Sequence, residues 1–285
     1  MSWAEISRAF AEVRRAGSEA EALRDTWARF EHLVKAHASQ PPYHLRILIA
    51  HLDHCRGDRP RRAVSILEHG CGAGSALCYL AALGYRDIHG VDVGGDMAPL
   101  NRIGRETLGY TDERFFVYDG ARLPFGDGSM DFVFSEQVIE HVADPVLEAY
   151  YREEARVLRP GGVAVHQVPH RLAPYDSHTR TWLIHYLPSP LYRRFARALG
   201  RPVPSHLHLR WPWVHRRMMR SALGDCRDTT LDRFLAIRDP AYFDGSVGLR
   251  RLVVRLMELP LVGRLFRALL RHFLMMETVT VRVAA

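Results

Sequence analysis

Three glycines at alternate positions mark the first place in this sequence where the residue types could do chemistry. They lie in the stretch HGCGAG, residues 69–74, directly after the apolar run AVSILE, residues 63–68. A strand that enters a glycine-rich turn and then a helix leaves backbone N–H groups pointing outward at the positive end of the helix dipole. Glycine is needed there where φ is positive or where a ligand leaves no room for a Cβ atom. The spacing therefore predicts a ligand-binding loop.

An acid at the end of the next apolar run indicates which ligand. Asp92 follows the glycines by about 20 residues, a position where an acidic side chain can take both hydroxyls of a ribose. Gly70, Gly72 and Gly74 form G-x-G-x-G after the acid Glu68, whereas a nicotinamide or flavin dinucleotide site is expected to show G-x-G-x-x-G. An adenosine-type ligand is implied, and a dinucleotide oxidoreductase is kept as an alternative.

The elements that must position these residues alternate between short apolar runs and helix-length segments. The runs predict five strands, at residues 63–68, 87–93, 114–119, 130–135 and 161–169. This alternation is typical of an α/β domain with a mainly parallel sheet.

The flanking regions have different patterns. Residues 1 to about 58 have apolar positions at three- and four-residue spacings and predict helices interrupted at QPPYH, residues 40–44. After Pro169 the regular pattern is lost until about Val214. The last part predicts a helix at 214–224, a weak strand at 229–237, a helical insertion at about 246–275 and a closing strand at 277–285.

Four ordered motifs resemble those of the class I S-adenosylmethionine-dependent methyltransferases, in particular the methyltransferase-11 type of the small-molecule branch. They are ILEHGCGAG, GVDV, YDGARLPFGDGSMDFVFSEQVIEHVADP and ARVLRPGG, and the resemblance covers roughly residues 62–170. It implies a Rossmann-like seven-stranded α/β sheet, mainly parallel, with the last strand, 277–283, antiparallel. We expect an N-terminal helical segment (1–60) closing over the cofactor, a cofactor-binding core (61–170), and an acceptor-binding lobe or lid with the final strands (171–285).

The resemblance also implies roles for individual residues toward S-adenosylmethionine, whose product is S-adenosylhomocysteine. Glu68 and the loop Gly70, Cys71, Gly72 and Gly74 would hold the methionine part. Asp92 would take the ribose hydroxyls, with Val93 and Met97 flanking the adenine. Asp119 would accept from the adenine amino group, with backbone contacts from Gly120 and Ala121, and Ser135 and Glu136 would face the sulfonium. Each acid also has a simpler interpretation, since an aspartate after a strand is often only a helix N-cap.

A group of histidines indicates where the methyl acceptor would bind. Seven of the sixteen histidines fall within residues 166–215, after the fifth strand, where open α/β sheets bind ligands. Transfer to a hydroxyl also removes a proton, and histidine titrates near neutrality. His170, His178 and His185 are therefore candidate general bases, as is His141 of the IEHV motif, which could equally be structural.

Composition limits the other ligands. Lys35 is the only lysine, which disfavours pyridoxal and P-loop chemistry, and the four cysteines show no metal-finger or disulfide pattern. The pair His206-x-His208 lacks a carboxylate-rich partner motif, so we expect no metal site.

The net charge of +7 comes from arginines, and we treat it as weak evidence for a nucleic-acid or membrane partner. No nucleic-acid-binding module is evident in the sequence. Without a leader-like or membrane-spanning run, we expect a cytoplasmic protein.

One segment raises a question about partners. Residues 261–273, LVGRLFRALLRHF, form an amphipathic basic helix. Such a helix can lie on an anionic membrane or cover a lipid acceptor, but packing on the domain or on a second copy in a homodimer is the preferred interpretation.

These observations favour O-methylation of a small molecule in specialised-metabolite, glycan or lipid biosynthesis. Methylation at nitrogen or carbon stays open. A catalytically inactive nucleoside-binding partner subunit with the same fold is the alternative from another class.

Overall fold

The computed structural model describes residues 3–16, 19–235, 247–260 and 262–283. Parts of the predicted segments 229–237, 246–275 and 277–285 lie outside these residues. The helices are α1 Trp3–Arg15, α2 Ala20–Ala36, α3 Tyr43–Arg56, α4 Ser75–Ala82, α5 Ala98–Ile103, α6 Asp144–Val157, α7 Ser189–Ala198, α8 Pro212–Leu223, α9 Thr230–Leu235, α10 Val247–Glu258 and α11 Val262–Leu270. The strands are β1 Ser65–His69, β2 Asp87–Asp92, β3 Phe115–Val117, β4 Met130–Glu136, β5 Leu158–Val168, β6 Tyr175–Asp176, β7 Thr181–Trp182, β8 Cys226–Asp228 and β9 Met276–Val281.

Seven of these strands form one sheet, in the order β3-β2-β1-β4-β5-β9-β8. The pairs from β3 to β5 are parallel, and β9 runs antiparallel to both β5 and β8. Successive strands are added to one side of β1 up to β3 and to its other side from β4 onward, so the switch point lies between β1 and β4. Open α/β sheets bind ligands in the crevice at the carboxyl ends of the two strands at this point. The predicted fold class and the antiparallel last strand are confirmed.

Apolar side chains cover both faces of the sheet. The N-terminal helices pack on one face, where Phe10, Trp27 and Phe30 are buried and the Trp27 and Phe30 rings lie 5.5 Å apart. The other face receives α6 and α8. The helical residues of both clusters recur at helical spacing and pack on strand residues of the sheet, which is why the amphipathic pattern predicts these helices.

The weak strand predicted at 229–237 is wrong. The strand of this region, β8, ends at Asp228, and the chain then turns into α9. Asp228 Oδ1 accepts a hydrogen bond from the Thr230 backbone N–H at 3.0 Å, as a helix-capping side chain does, and Thr230 and Arg233 are buried one helical turn apart. Capping and burial of this face outweigh the β-propensity of the threonines.

The amphipathic helix α11 belongs to the insertion between β8 and β9, as predicted, and it contacts α10. Its apolar residues Val262, Leu265 and Leu269 remain exposed rather than packing on the domain. Among the described helices, none combines the length and apolarity that crossing a bilayer requires.

Candidate functional site

The glycine loop joins β1 to α4 at the carboxyl edge of the sheet. The Gly70 and Cys71 N–H groups both donate to the Val91 carbonyl, at 2.8 and 2.9 Å, which ties the loop to β2. Gly70 has a φ of +90°, and a Cβ atom there would come within 2.4 Å of the Val138 side chain. Gly72 has a φ of +50° and opens to a space with no heavy atom within 4 Å. Packing thus excludes a side chain at Gly70, whereas Gly72 leaves open space for a ligand.

Asp92, at the end of β2, faces this loop. Its Oδ2 accepts from the Gly72 N–H at 2.9 Å and its Oδ1 from the Gly94 N–H at 3.2 Å. Each carboxylate oxygen has a second lone pair, so both can still accept from a ligand hydroxyl. The neighbouring Val93 is 67% exposed and lines the cavity described below, so its side chain is available to a ligand.

Asp119 lies beyond β3. Its Oδ1 accepts from the Ala121 and Arg122 N–H groups at 2.8 and 3.2 Å, and these backbone bonds lower the pKa of the exposed carboxyl. Gly120 faces Val93, since a Cβ atom on Gly120 would lie 3.6 Å from Val93 Cγ1. The loop after β3 therefore forms the wall opposite Val93.

These loops enclose a cavity of about 180 Å³ with a mainly apolar wall. Asp92, Val93, Gly70 and Gly120 were predicted from the sequence to bind a ligand, and the structure brings them together here. His141 also lines the cavity. The remaining lining residues were not predicted: they are His69, Tyr118, Val138, Val142, Ala143, Val146 and Tyr150.

A second cavity, of about 450 Å³, lies on the other side of the glycine loop. Ser7, Ala11 and Arg14 of α1 face Ala73 and Ser75 across it. The N-terminal helix thus covers the outer side of the loop.

Two carboxyl groups lie at the carboxyl ends of β1 and β4. Burial, with the charges of Glu136 and Asp92, raises the pKa of Glu68 well above its usual range. Burial and the charge of Glu277 raise the pKa of Glu136 to about 8. Glu68 Oε2 and Glu136 Oε1 are buried without a hydrogen-bond partner in the described part of the chain. A cationic ligand group would satisfy these oxygens.

Three of the predicted ligand-facing side chains instead point into the protein. Cys71 and Met97 belong to the apolar core, and burial raises the pKa of the Cys71 thiol. The Ser135 hydroxyl is buried and accepts a hydrogen bond from the Tyr150 hydroxyl at 2.9 Å. These three side chains pack inside the protein and do not line the cavity.

A buried chain of polar groups under the cavity was missed by sequence reasoning. Glu154 of α6 accepts from His69 Nδ1 at 3.0 Å and from His166 Nε2 at 2.7 Å. The other nitrogen of His69 lies 2.6 Å from the Tyr118 hydroxyl, and its ring stacks on Tyr150 with centroids 3.8 Å apart. The sequence signal that could have indicated this network is the alternation of side chains along β1, which points Glu68 and His69 to opposite faces of the sheet.

The candidate bases have different surroundings. His170 is buried, its Nε2 donates to the Leu274 carbonyl at 2.8 Å and its Nδ1 accepts from the Leu172 N–H. Burial lowers its pKa to about 4. His185 is also buried, donates to the Ala173 carbonyl at 2.8 Å, and has a pKa lowered by burial. These contacts are those of structural histidines.

His141 and His178, in contrast, meet at the rim of the cavity, with ring centroids 5.1 Å apart. Burial lowers the pKa of His141, which keeps its ring neutral. Hydrogen bonding to Asp176, and then the nearby carboxylate of Glu140, raises the pKa of His178 to about 9. His178 therefore carries a proton at neutral pH and is a poor proton acceptor in this state.

Buried Arg210 connects this rim to the lobe that follows β5. Its guanidinium donates to the Ile139 carbonyl at 3.0 Å, to the Val142 carbonyl and to Asp144 Oδ1 at 2.6 Å. The His208 N–H donates to the Glu140 carbonyl at 2.7 Å. The turn that carries His141 is thus held from both sides.

Comparison with known proteins supports this description. Residues 67–166 match the profile of a family described as a methyltransferase domain. An uncharacterized methyltransferase of Mycobacterium sp. (strain KMS) is 41% identical over 95 residues, which are 33% of this chain and 34% of that protein. A ubiquinone biosynthesis O-methyltransferase of Ruegeria pomeroyi is 29% identical over 142 residues, 50% of this chain and 56% of that protein.

Among solved structures, a geranyl diphosphate C-methyltransferase from Streptomyces coelicolor aligns with a TM-score of 0.47 and 14% identity, covering 89% of this chain and 82% of that one. The chain spans about a third of the length of the first curated relatives that it matches. Residues 67–166 thus match a family described as a methyltransferase domain, and the strand order around them is that of a Rossmann-like sheet.

Proposed function

We propose that this protein transfers a methyl group from S-adenosylmethionine to a hydroxyl of a small molecule. The observation that carries the proposal is the cavity between the glycine loop, Asp92 and the loop after β3. It combines a carboxylate able to accept from two hydroxyls with a mainly apolar wall that includes Val93, and two buried acids, Glu68 and Glu136, lie nearby at the carboxyl ends of β1 and β4. Ribose, adenine and the methionine ammonium need these three environments in turn.

The residues present fit the cofactor. Glu68 and Glu136 would bind the ammonium, directly or through water, and in doing so would lose the proton that burial otherwise retains. Asp92 would hold the ribose, and Val93 with Gly120 would flank the adenine. The bound cofactor supplies an already activated methyl group, so the chain's own task is to align the acceptor and to help remove its proton.

The rim of the cavity favours a hydroxyl acceptor. An alcohol must lose a proton on methylation, and the cluster of Glu140, His141 and His178 lies beside the cavity that would hold the cofactor. His178 comes from the segment after β5, which we propose contributes to the acceptor pocket. We assign the acceptor to specialised-metabolite, glycan or lipid biosynthesis. The exposed apolar residues of α11 would suit contact with a lipid surface or a second copy.

Calorimetric titration of S-adenosylhomocysteine tests the cofactor assignment. Wild type should bind one molecule per chain. Asp92→Ala should bind at least about tenfold more weakly, because hydrogen bonds to a charged group are each worth about 1.5–3 kcal/mol. Asp58→Ala, at an exposed position, is the control and should bind like wild type.

Three other outcomes are informative. Folded wild type that binds no S-adenosylhomocysteine would contradict the proposal, and binding of a nicotinamide dinucleotide instead would favour an oxidoreductase. Tight binding without turnover on panels of hydroxyl, amine and carbon acceptors would favour a non-catalytic partner subunit.

A further inference from the structure

Four side chains from two distant segments form a polar cluster beside the cavity. Glu140 and His141 lie in the turn after β4, and Asp176 and His178 lie after β5. His178 Nε2 is 3.4 Å from Glu140 Oε1, and His141 Nε2 is 3.9 Å from the same oxygen. One donor atom from each of these three residues lies within 4.8 Å of the other two.

Glu140 is the unusual member of this cluster. Its side chain is 0% exposed, and neither carboxylate oxygen accepts a hydrogen bond from the described part of the chain. Removing a carboxylate from water without hydrogen bonds is costly, so buried carboxylates are normally paired or coordinate a metal ion. The backbone bond from His208 to the Glu140 carbonyl holds the residue in this place.

The surroundings of His178 also resemble those of a metal-binding histidine. Its Nδ1 lies 3.3 Å from Asp176 Oδ1, which leaves Nε2 directed at Glu140. Asp176 is itself buried and accepts from the Thr179 and Tyr192 hydroxyls, both at 2.5 Å. A carboxylate that orients a histidine through one ring nitrogen is the usual support of a metal-binding imidazole.

We propose that Glu140, His141 and His178 bind a divalent transition-metal ion of the zinc type. One carboxylate and two imidazoles are the protein ligands of many catalytic zinc sites, which keep a further position open. Zinc bonds of about 2.0–2.2 Å at tetrahedral angles place neighbouring donors about 3.4 Å apart. The pair His178 and Glu140 has this spacing at 3.4 Å, and the other two donor separations, 3.9 Å and at most 4.8 Å, need to shorten by up to about 1.4 Å. The sequence-based expectation of no metal site missed this cluster because its ligands are 37 residues apart in the chain, from His141 to His178.

The position of His141 gives the ion a role that rests on the proposed function. His141 lines the cavity, so the open coordination position would face the acceptor. A metal ion lowers the pKa of a bound oxygen donor. An acceptor hydroxyl bound there would pass its proton to solvent water at neutral pH, without a free imidazole as base, and would remain as the metal-bound alkoxide that accepts the methyl group.

Metal binding is tested without cofactor or substrate, so its outcome is independent of the methyltransferase assignment. Protein stripped with a chelator and dialysed is titrated with ZnCl₂ by calorimetry. Wild type should bind one Zn²⁺ per chain, and Glu140→Gln and His178→Ala should each bind at least about 100-fold more weakly. Asp176→Asn should lose about 10–100-fold, as expected for a supporting residue.

His54→Ala removes an exposed histidine on α3 and is the matched control, expected to bind like wild type. Thermal melting of each apo variant shows whether it is folded. If Glu140→Gln does not fold, the visible spectrum of bound Co²⁺ in wild type and in His178→Ala provides the test, since loss of one imidazole must change it. Wild type without stoichiometric binding would overturn the proposal. Wild-type affinity in both folded ligand variants would also overturn it, by placing the ion elsewhere among the histidines.

Discussion

Replacing Glu154 by glutamine tests whether a buried charge holds the two histidines under the candidate cofactor cavity. The Glu154 side chain is fully buried between His69 and His166. Burial on its own would raise the pKa of this carboxyl, but the charges and hydrogen bonds of His166 and His69 outweigh it and lower the pKa to about 2, from 4.5. Glutamine keeps the shape of the side chain and removes the charge.

The expected loss follows from this pKa. A carboxyl with a pKa of about 2 in the folded protein and 4.5 in the unfolded chain contributes roughly 3 kcal/mol of stability at pH 7. Since the folded-state pKa is the lower one, this contribution is present above the unfolded pKa and is lost as pH falls through the folded pKa. Less than half of this contribution would remain at pH 3. Glu154→Gln should therefore lower the free energy of unfolding by about 3 kcal/mol at pH 7 and by less than half of that at pH 3.

Urea denaturation of both proteins at the two pH values measures this difference. Glu148→Gln is the control on the same helix: its side chain is 65% exposed and pairs with Arg152 at 3.0 Å, so its removal should change stability by no more than about 0.5 kcal/mol. A loss of equal size at both pH values would refute the electrostatic reasoning, because it would assign the effect to packing. Unchanged stability at pH 7 would refute it as well.

Two further predictions concern the walls of the cavity. Burial and Glu277 raise the pKa of Glu136 to about 8, so wild type should lose stability as pH rises from about 5 through 8, while Glu136→Gln should show a flatter profile in the same urea series. Gly70→Ala should destabilise the protein by roughly 1–3 kcal/mol more than Gly57→Ala, because both positions have positive φ but only Gly70 lies against Val138. Equal losses in thermal melts of these two variants would show that the Val138 side chain moves aside without cost.

The local part of the site could be predicted from sequence because it depends on neighbouring residues. The glycine spacing requires a loop with positive φ, and the strands before and after this loop place Glu68 and Asp92, respectively, at the carboxyl edge of the sheet. The strands between residues 63 and 169 follow from hydrophobic pattern alone. The strand predicted at 229–237 failed because the cap supplied by Asp228 and the burial of Arg233 outweigh β-propensity.

Only the tertiary structure decided which side chains meet and in what surroundings. Sequence proximity grouped His170, His178 and His185, but the fold buries the first and third against backbone carbonyls and turns His178 toward Glu140. Whether a histidine is neutral, charged or a metal ligand depends on the groups that burial places around it, and those come from distant segments. The sequence thus determined the fold and the glycine loop, whereas the packing of the segment after β5 onto the turn after β4 determined which polar side chains meet at the rim.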